Sequence, residues 1–249
     1  MMNFAIRTLA RLVLPVAILA LVPATIAPAR AMELVTDQNP VVVELFTSQG
    51  CSSCPPADAF LGELSMRRDV LPLAFHVDYW NYIGWEDPFS SPASTQRQRD
   101  YGRLMNLRAI YTPQMVIDGT THEVGSNRGA VASAIKHAAL DTGKVPVTLM
   151  HDETGYRVHI GAGTPAAPAT VWLIEYDPEI VTEVKRGENA GKALTEYNIV
   201  RAWRPIGSWD GTAVEIVLPP AESGAMACAV IVQAGPVGKI YGAAAYRMD

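Results

Sequence analysis

The sequence predicts an α/β layered domain followed by a β-rich, sandwich-like domain. Three observations carry this reading. Between Val41 and about Leu140, β-branched runs alternate with helix-type patterns. Beyond Gly143 the chain breaks into short strand-type runs separated by Gly, Pro, Asp and Asn clusters. Ahead of both, residues 1–31 have the form of a secretory signal. The expected boundaries are therefore 1–31 for the signal, 32–142 for the first domain and 143–249 for the second.

The signal rests on a basic start, an apolar run and a cleavage pattern. Arg7 and Arg11 precede the run at 12–20, and Ala29-Arg30-Ala31 matches A-x-A. Pro15, Pro23 and Pro28 interrupt the stretch, which disfavours a spanning helix. The expected product is periplasmic or secreted, with no membrane span after cleavage. It would keep 17 basic against 25 acidic residues. That balance argues against a nucleic-acid partner, because phosphate binding needs clustered Lys and Arg.

In the first half, 41–46 (Val-Val-Val-Glu-Leu-Phe) reads as a buried parallel strand. A helix is expected over 55–66 behind Pro55-Pro56, and a second strand over 71–77. An aromatic segment at 78–91 leads to Ser91-Pro92, an N-cap and first-turn pair opening a polar helix to about Asn106. Met115-Val116-Ile117 is a third strand closed by Asp118-Gly119, and Asn127 caps a helix to about Leu140. In the second half, strands are expected at 145–150, 156–160, 170–176, 197–203, 214–218, 227–233 and 239–246. Seven short strands suggest a sandwich; the alternative is that some of them extend the first domain's sheet.

The chemistry-bearing motif is Cys51-Ser52-Ser53-Cys54. A cysteine at a helix N-terminus is expected to feel unpaired N–H groups and the positive end of the helix dipole, which favour the reactive thiolate. Cys51 is the expected nucleophile and Cys54 the resolving thiol. A four-residue ring stabilises little as a structural disulfide, and a structural zinc site would need a second cysteine pair that is absent. The order strand, C-x-x-C, helix is that of a thioredoxin-like βαβ start. Thr112-Pro113 stands just before the third strand, where a cis bond would place the proline opposite the thiols. Glu44, seven residues before Cys51, is expected to have a raised pKa and to relay a proton to the resolving thiol; the alternative is a salt-bridged strand residue.

Residues 41–58, Val-Val-Val-Glu-Leu-Phe-Thr-Ser-Gln-Gly-Cys-Ser-Ser-Cys-Pro-Pro-Ala-Asp, resemble an exported bacterial family catalogued as domain of unknown function 1223. The resemblance continues through His76-Val77-Asp78-Tyr79-Trp80, Tyr111-Thr112-Pro113-Gln114 and Arg186-Gly187-Glu188-Asn189-Ala190-Gly191-Lys192. It implies a thioredoxin-like first domain, a β-rich second one and no established substrate. From the broader thioredoxin-like superfamily it implies a nucleophile at Cys51, a resolving thiol at Cys54 and a cis-proline at Pro113. In thioredoxins the buried acid is an Asp one residue nearer the first cysteine than Glu44, and Gly50 stands where Trp is usual. These departures leave the direction of electron flow open.

His76 and Asp78 are expected on one face of the second strand, either in the site or as a structural pair. Tyr79, Trp80, Tyr82, Trp85 and Phe89 are expected either to form a lid or groove beside Cys51, with Tyr79, Trp80 and Trp85 binding substrate, or to form the segment's own small core. Gly187 to Lys192 reads as a loop, lacking the spacing of a phosphate loop. Cys228, in an apolar run, reads as a buried inert thiol. The leading functional expectation is an exported thiol–disulfide oxidoreductase acting on protein or small thiols, with no cofactor and no resident metal. Its partners would be exported protein thiols or disulfides, or a redox partner protein. The alternatives are a Cu(I)-binding or delivery module, with His76 or His122 as third ligand, and a binding protein with non-catalytic thiols.

Overall fold

In the computed structural model, residues 32–34, 39–152, 155–220 and 222–248 are described. The expected export signal at 1–31 lies outside them. The first half contains β1 (Met32–Leu34), β2 (Val41–Thr47), α1 (Pro55–Ser65), β3 (Val70–His76), a 3-10 turn at Asn81–Ile83, α2 (Pro92–Leu104), β4 (Gln114–Ile117), β5 (Thr121–Val124) and α3 (Arg128–Ala138). The second contains β6 (Val147–Asp152), β7 (Gly155–Ile160), β8 (Ala169–Glu183), β9 (Ala193–Trp209), β10 (Val214–Val217), β11 (Ala227–Ala234) and β12 (Ile240–Met248).

The expected division into an α/β thioredoxin-like domain and a separate sandwich is overturned by the sheet order. One nine-stranded mixed sheet runs β1-β12-β11-β8-β9-β3-β2-β4-β5, taking strands from both sides of residue 143. Of the second-half strands, β10, β7 and β6 form a separate three-stranded sheet. The seven expected strands exist, but β8 and β9 have 15 and 17 residues, far longer than the expected runs of seven. That length decides the architecture. β9 pairs antiparallel with β8 and still places Ile199 beside Ala74 of parallel β3. The expected strand at 170–176 ended short of Pro178, a residue that lacks a ladder donor. In the fold the register steps past it, from Asp177–Ile199 to Glu179–Tyr197, with Asn198 at a positive φ of 48° opposite.

The two sheet faces follow from strand alternation. On one face, Val43 and Leu45 of β2 and Ala74 of β3 pack against Ala57 and Leu61 of α1 and Ile135 of α3. On the other, Val42 and Phe46 meet Leu73, Phe75 and Tyr101 of α2, together with Ile231 and Ala243 of β11 and β12. The helix starts are specified locally. Ser91 Oγ accepts from Ser94 N–H at 3.0 Å, and Asn127 Oδ1 accepts from Ala130 N–H at 3.3 Å.

Glu44 belongs to the second face. Arg97 donates to it through Nε at 2.5 Å and Nη2 at 2.9 Å, and Tyr101 Oη donates to Oε1 at 2.6 Å. Arg97 Nη2 also donates to Gln233 Oε1 at 2.9 Å. All four side chains are buried, so this network ties β2 and α2 to β11. Arg97→Met, which strands the Glu44 carboxylate, is expected to cost about 3–5 kcal/mol in urea unfolding. Pairing it with Glu44→Met is expected to recover most of the loss. A single variant as stable as the parent protein would show that the pair is not what joins the halves.

Candidate functional site

The site begins where β2 ends. Cys51 N–H donates to Ser48 O at 3.1 Å and Cys54 N–H to Cys51 O at 3.2 Å, closing a turn. Cys51 and Cys54 form a disulfide across it, with Cα atoms 5.4 Å apart. Both are buried, at 1% and 0% exposure, while Ser52 and Ser53 between them are exposed.

Helix α1 starts at Pro55, so Cys54 is its N-cap and Cys51 lies in the preceding turn. Pro55 and Pro56 carry no N–H. The N–H groups of Ala57 and Asp58 both go to Cys54 O, at 2.8 and 3.1 Å. The unpaired first-turn donors expected to stabilise a Cys51 thiolate are therefore absent from this turn. The nearest donor is Ser53, whose Oγ lies 3.3 Å from Cys51 Sγ. A disulfide sulfur carries no proton, so the hydroxyl donates.

A second segment is held against the turn. The β8–β9 connection, residues 184–192, carries Asn189, which is fully buried. Its Nδ2 donates to Gln49 O at 2.9 Å and Cys51 O at 3.0 Å. Ser52 N–H donates to Glu188 Oε2 at 3.1 Å, and the Ser52 hydroxyl first and this N–H second hold the Glu188 carboxyl below its ordinary value. Gly187, at φ +77°, faces Trp85 and Ile83, where a Cβ would lie 3.3 Å from Trp85 Cβ. A chain reading as a loop in the sequence is thus part of the site.

The aromatic residues line the other side with their polar ends engaged. Trp80 Nε1 donates to Thr112 Oγ1 at 2.8 Å, Trp85 Nε1 to Gln49 Oε1 at 2.9 Å and Tyr79 Oη to Gln98 Oε1 at 3.1 Å. Trp80 also backs onto Gly50, leaving no room there for a larger side chain without displacement. Tyr82 is the strongly exposed aromatic of the segment, at 82%. The Thr112–Pro113 peptide is cis. Pro113 O accepts from Gly125 N–H at 2.9 Å, and Gly125 is close to Ala57 in the first turn of α1.

Beneath the turn lies a buried charge cluster. His76 Nδ1 is 2.7 Å from Asp87 Oδ2, and its Nε2 is 3.8 Å from Glu196 Oε1 with no hydrogen bond. Gln49 bridges them, its N–H donating to Asp87 Oδ2 at 2.9 Å and its Nε2 to Glu196 Oε2 at 2.6 Å. Asp58 accepts from Thr47 Oγ1 at 2.7 Å. Burial opposes charge on His76, but Asp87, Glu196 and Asp58 outweigh it and raise its pKa to about 9. Burial pushes Asp87 up, yet His76 pulls it below the ordinary value. Burial raises Glu196, and it raises Asp58 to about 7. Burial is the main cause of the Asp58 shift, with Glu196 and Asp87 adding to it, so Asp58 exchanges its proton near neutrality.

His76 and Asp78 do not pair: β3 ends at His76, and Asp78 instead accepts from Thr95 Oγ1 at 2.6 Å. Glu44 faces away from α1, bonded to Arg97 and Tyr101. Asp58 was missed in the sequence, although its place four residues after Cys54 was a signal for it. Asp87 and Glu196 come from distant segments and carried no local signal. Among the described residues no three His, Cys, Asp or Glu side chains converge as a metal site. His122 is bonded to Tyr111, and Cys228 is buried with its thiol pushed up to about 11 by burial.

Fold and site together define a mixed-sheet protein with a covered vicinal disulfide above a buried ionisable cluster. The chain belongs to the family described as Protein of unknown function (DUF1223), whose model matches residues 42–233. It is similar to the X-ray crystal structure of protein AGR_C_4864 from Agrobacterium tumefaciens, with 31% identity and a TM-score of 0.76, covering 86% of this chain and 96% of that one. HBP35 of Porphyromonas gingivalis shares the fold at 14% identity and a TM-score of 0.60, covering 86% of this chain and 76% of that one. No curated protein matches the chain.

Two outcomes are expected. Asn189→Ala, which frees the 184–192 segment, is expected to speed reduction of the disulfide by dithiothreitol about tenfold, followed by thiol alkylation; an unchanged rate would mean the segment does not cover it. His76 has a folded pKa of about 9 against 6.5 for the free side chain. Its contribution is fully present below about pH 6.5 and is lost as pH rises through about 9. Urea midpoints are expected to fall across that window, and His76→Gln to flatten the fall.

Proposed function

We propose that this protein is a thiol–disulfide oxidoreductase that exchanges the Cys51–Cys54 disulfide with thiols of exported proteins or small thiols. The observation that carries the reading is a disulfide closing a four-residue turn at the N-terminus of α1. Such a ring constrains the unfolded chain little, so stability is a weak reason for it. The export pattern at 1–31 supports a reading in which the protein works in the periplasm or outside the cell, where a C-x-x-C pair can remain oxidised.

In the exchange, a partner thiolate attacks Cys51 Sγ. The new partner–Cys51 disulfide forms, the Cys51–Cys54 bond breaks, and its electron pair leaves on Cys54. A second partner thiolate then attacks the partner sulfur and releases Cys51 as thiolate, with Ser53 Oγ as its nearby donor. The partner dithiol is oxidised by two electrons and the protein pair is reduced; the reverse sequence reduces a partner disulfide. The burial of Cys51 requires the 184–192 segment to open first. Tyr79, Trp80 and Trp85 shape the wall of the opening. Tyr82 is the aromatic surface that a partner would meet.

Insulin reduction and oxidative refolding of a reduced protein test both directions. The parent protein is expected to turn over in at least one of them. Cys51→Ser should abolish turnover, and Cys54→Ser should trap a mixed disulfide at Cys51. No turnover in either assay, or turnover unchanged in Cys51→Ser, would overturn the proposal.

A further inference from the structure

The sequence offered Glu44 as the group that moves a proton to the resolving thiol, but Glu44 lies on the sheet face opposite α1 and is held by Arg97. A different carboxyl occupies the required place. Cys54 caps α1 with helical dihedrals, φ −79° and ψ −38°, and Asp58 is the fourth residue after it. Side chains four apart lie over one another on one helix face, and both of these point inward and are buried. Asp58 also lines a pocket of about 300 Å³ between the first turn of α1 and β9, bordered by Pro55, Leu194 and Tyr197. Asp58 thus shares a buried helix face with Cys54 and borders a pocket beside it.

We propose that Asp58 is the proton donor and acceptor for Cys54 during disulfide exchange, and that the His76, Asp87 and Glu196 cluster sets its proton affinity. The inference rests on the redox reading above. As the Cys51–Cys54 bond breaks, the electron pair goes to Cys54 Sγ and the proton of the Asp58 carboxyl follows it, leaving a carboxylate. Water in the pocket beside Pro55 then restores the proton. In the oxidising direction Asp58 as carboxylate takes the Cys54 proton before the thiolate attacks the mixed disulfide.

The charged surroundings make this exchange possible near neutral pH. Asp58 faces the Thr47 hydroxyl from β2, His76 from β3, Asp87 from the segment after β3 and Glu196 from β9. Burial and the two acids hold the proton on, while His76 and Thr47 draw it off. The balance near 7 suits a group that must both give and take a proton at working pH. The unsatisfied Nε2 of His76, buried 3.8 Å from Glu196, marks a cluster tuned by charge rather than closed by hydrogen bonds.

The test is the rate of disulfide opening by dithiothreitol across about pH 5 to 9, divided by the thiolate fraction of the reductant. Dithiothreitol replaces any protein partner, so the outcome is independent of which partner the protein serves. For the parent protein the corrected rate is expected to fall about tenfold or more as pH rises through about 7, as the donor loses its proton. Asp58→Asn, which keeps the acceptor for Thr47, should lower the rate at pH about 6 to the high-pH level and remove the inflection. Asp58→Glu should restore an inflection. A flat corrected profile in the parent protein would overturn the relay without recourse to any variant. A profile unchanged in Asp58→Asn would overturn it too, and in both cases the oxidoreductase reading stands if insulin or refolding turnover is present. A disulfide that dithiothreitol does not open would overturn both.

Discussion

The contact of β9 with β3 is the joint on which the rest depends. It is short, with Ala74 opposite Ile199, but it makes one sheet of strands that would otherwise belong to two. Because β9 must run past β3 and still pair with β8, both strands are long, and their connection overshoots the sheet. That overshoot brings Asn189 and Glu188 to the cysteine turn. The same strand delivers Glu196 to His76. The cover of the disulfide and part of its charged floor thus come from one structural event.

The molecule buries two sets of ionisable groups, and they differ in balance. Glu44 and Arg97 are a matched pair, fork to fork, with Tyr101 and Gln233 filling the remaining hydrogen-bond positions. Such a set serves to hold β2, α2 and β11 in place. The cluster around His76 is not matched: three acids share one imidazole, and one nitrogen is left without a hydrogen bond. Excess acid in a buried place is relieved by keeping a proton rather than by finding a partner. Matched and unmatched buried charge are in this way separated onto opposite faces of one sheet.

Local signals in the chain were sufficient for most elements. Proline pairs and Ser or Asn caps mark the helix starts, and β-branched runs between turn residues mark the strands, because these preferences act within a few residues. They failed at the ends of β8 and β9, where Pro178 reads as a stop but the ladder steps past it through Asn198. They also missed β5, whose alternating Thr-His-Glu-Val gains its place only by pairing with β4.

The sequence by itself determined the cysteine pair, its position between a strand and a helix, and Asp58 one turn beyond it, because all three are set by spacing along the chain. Tertiary structure decided which carboxyl faces the sulfurs, since strand alternation turns Glu44 to the other side of the sheet. It decided that a segment more than a hundred positions away is held against the cysteine turn. It also decided that His76 meets Asp87 and Glu196 rather than Asp78. Contacts of that separation depend on the register of long strands, and no pattern of neighbouring residues specifies it.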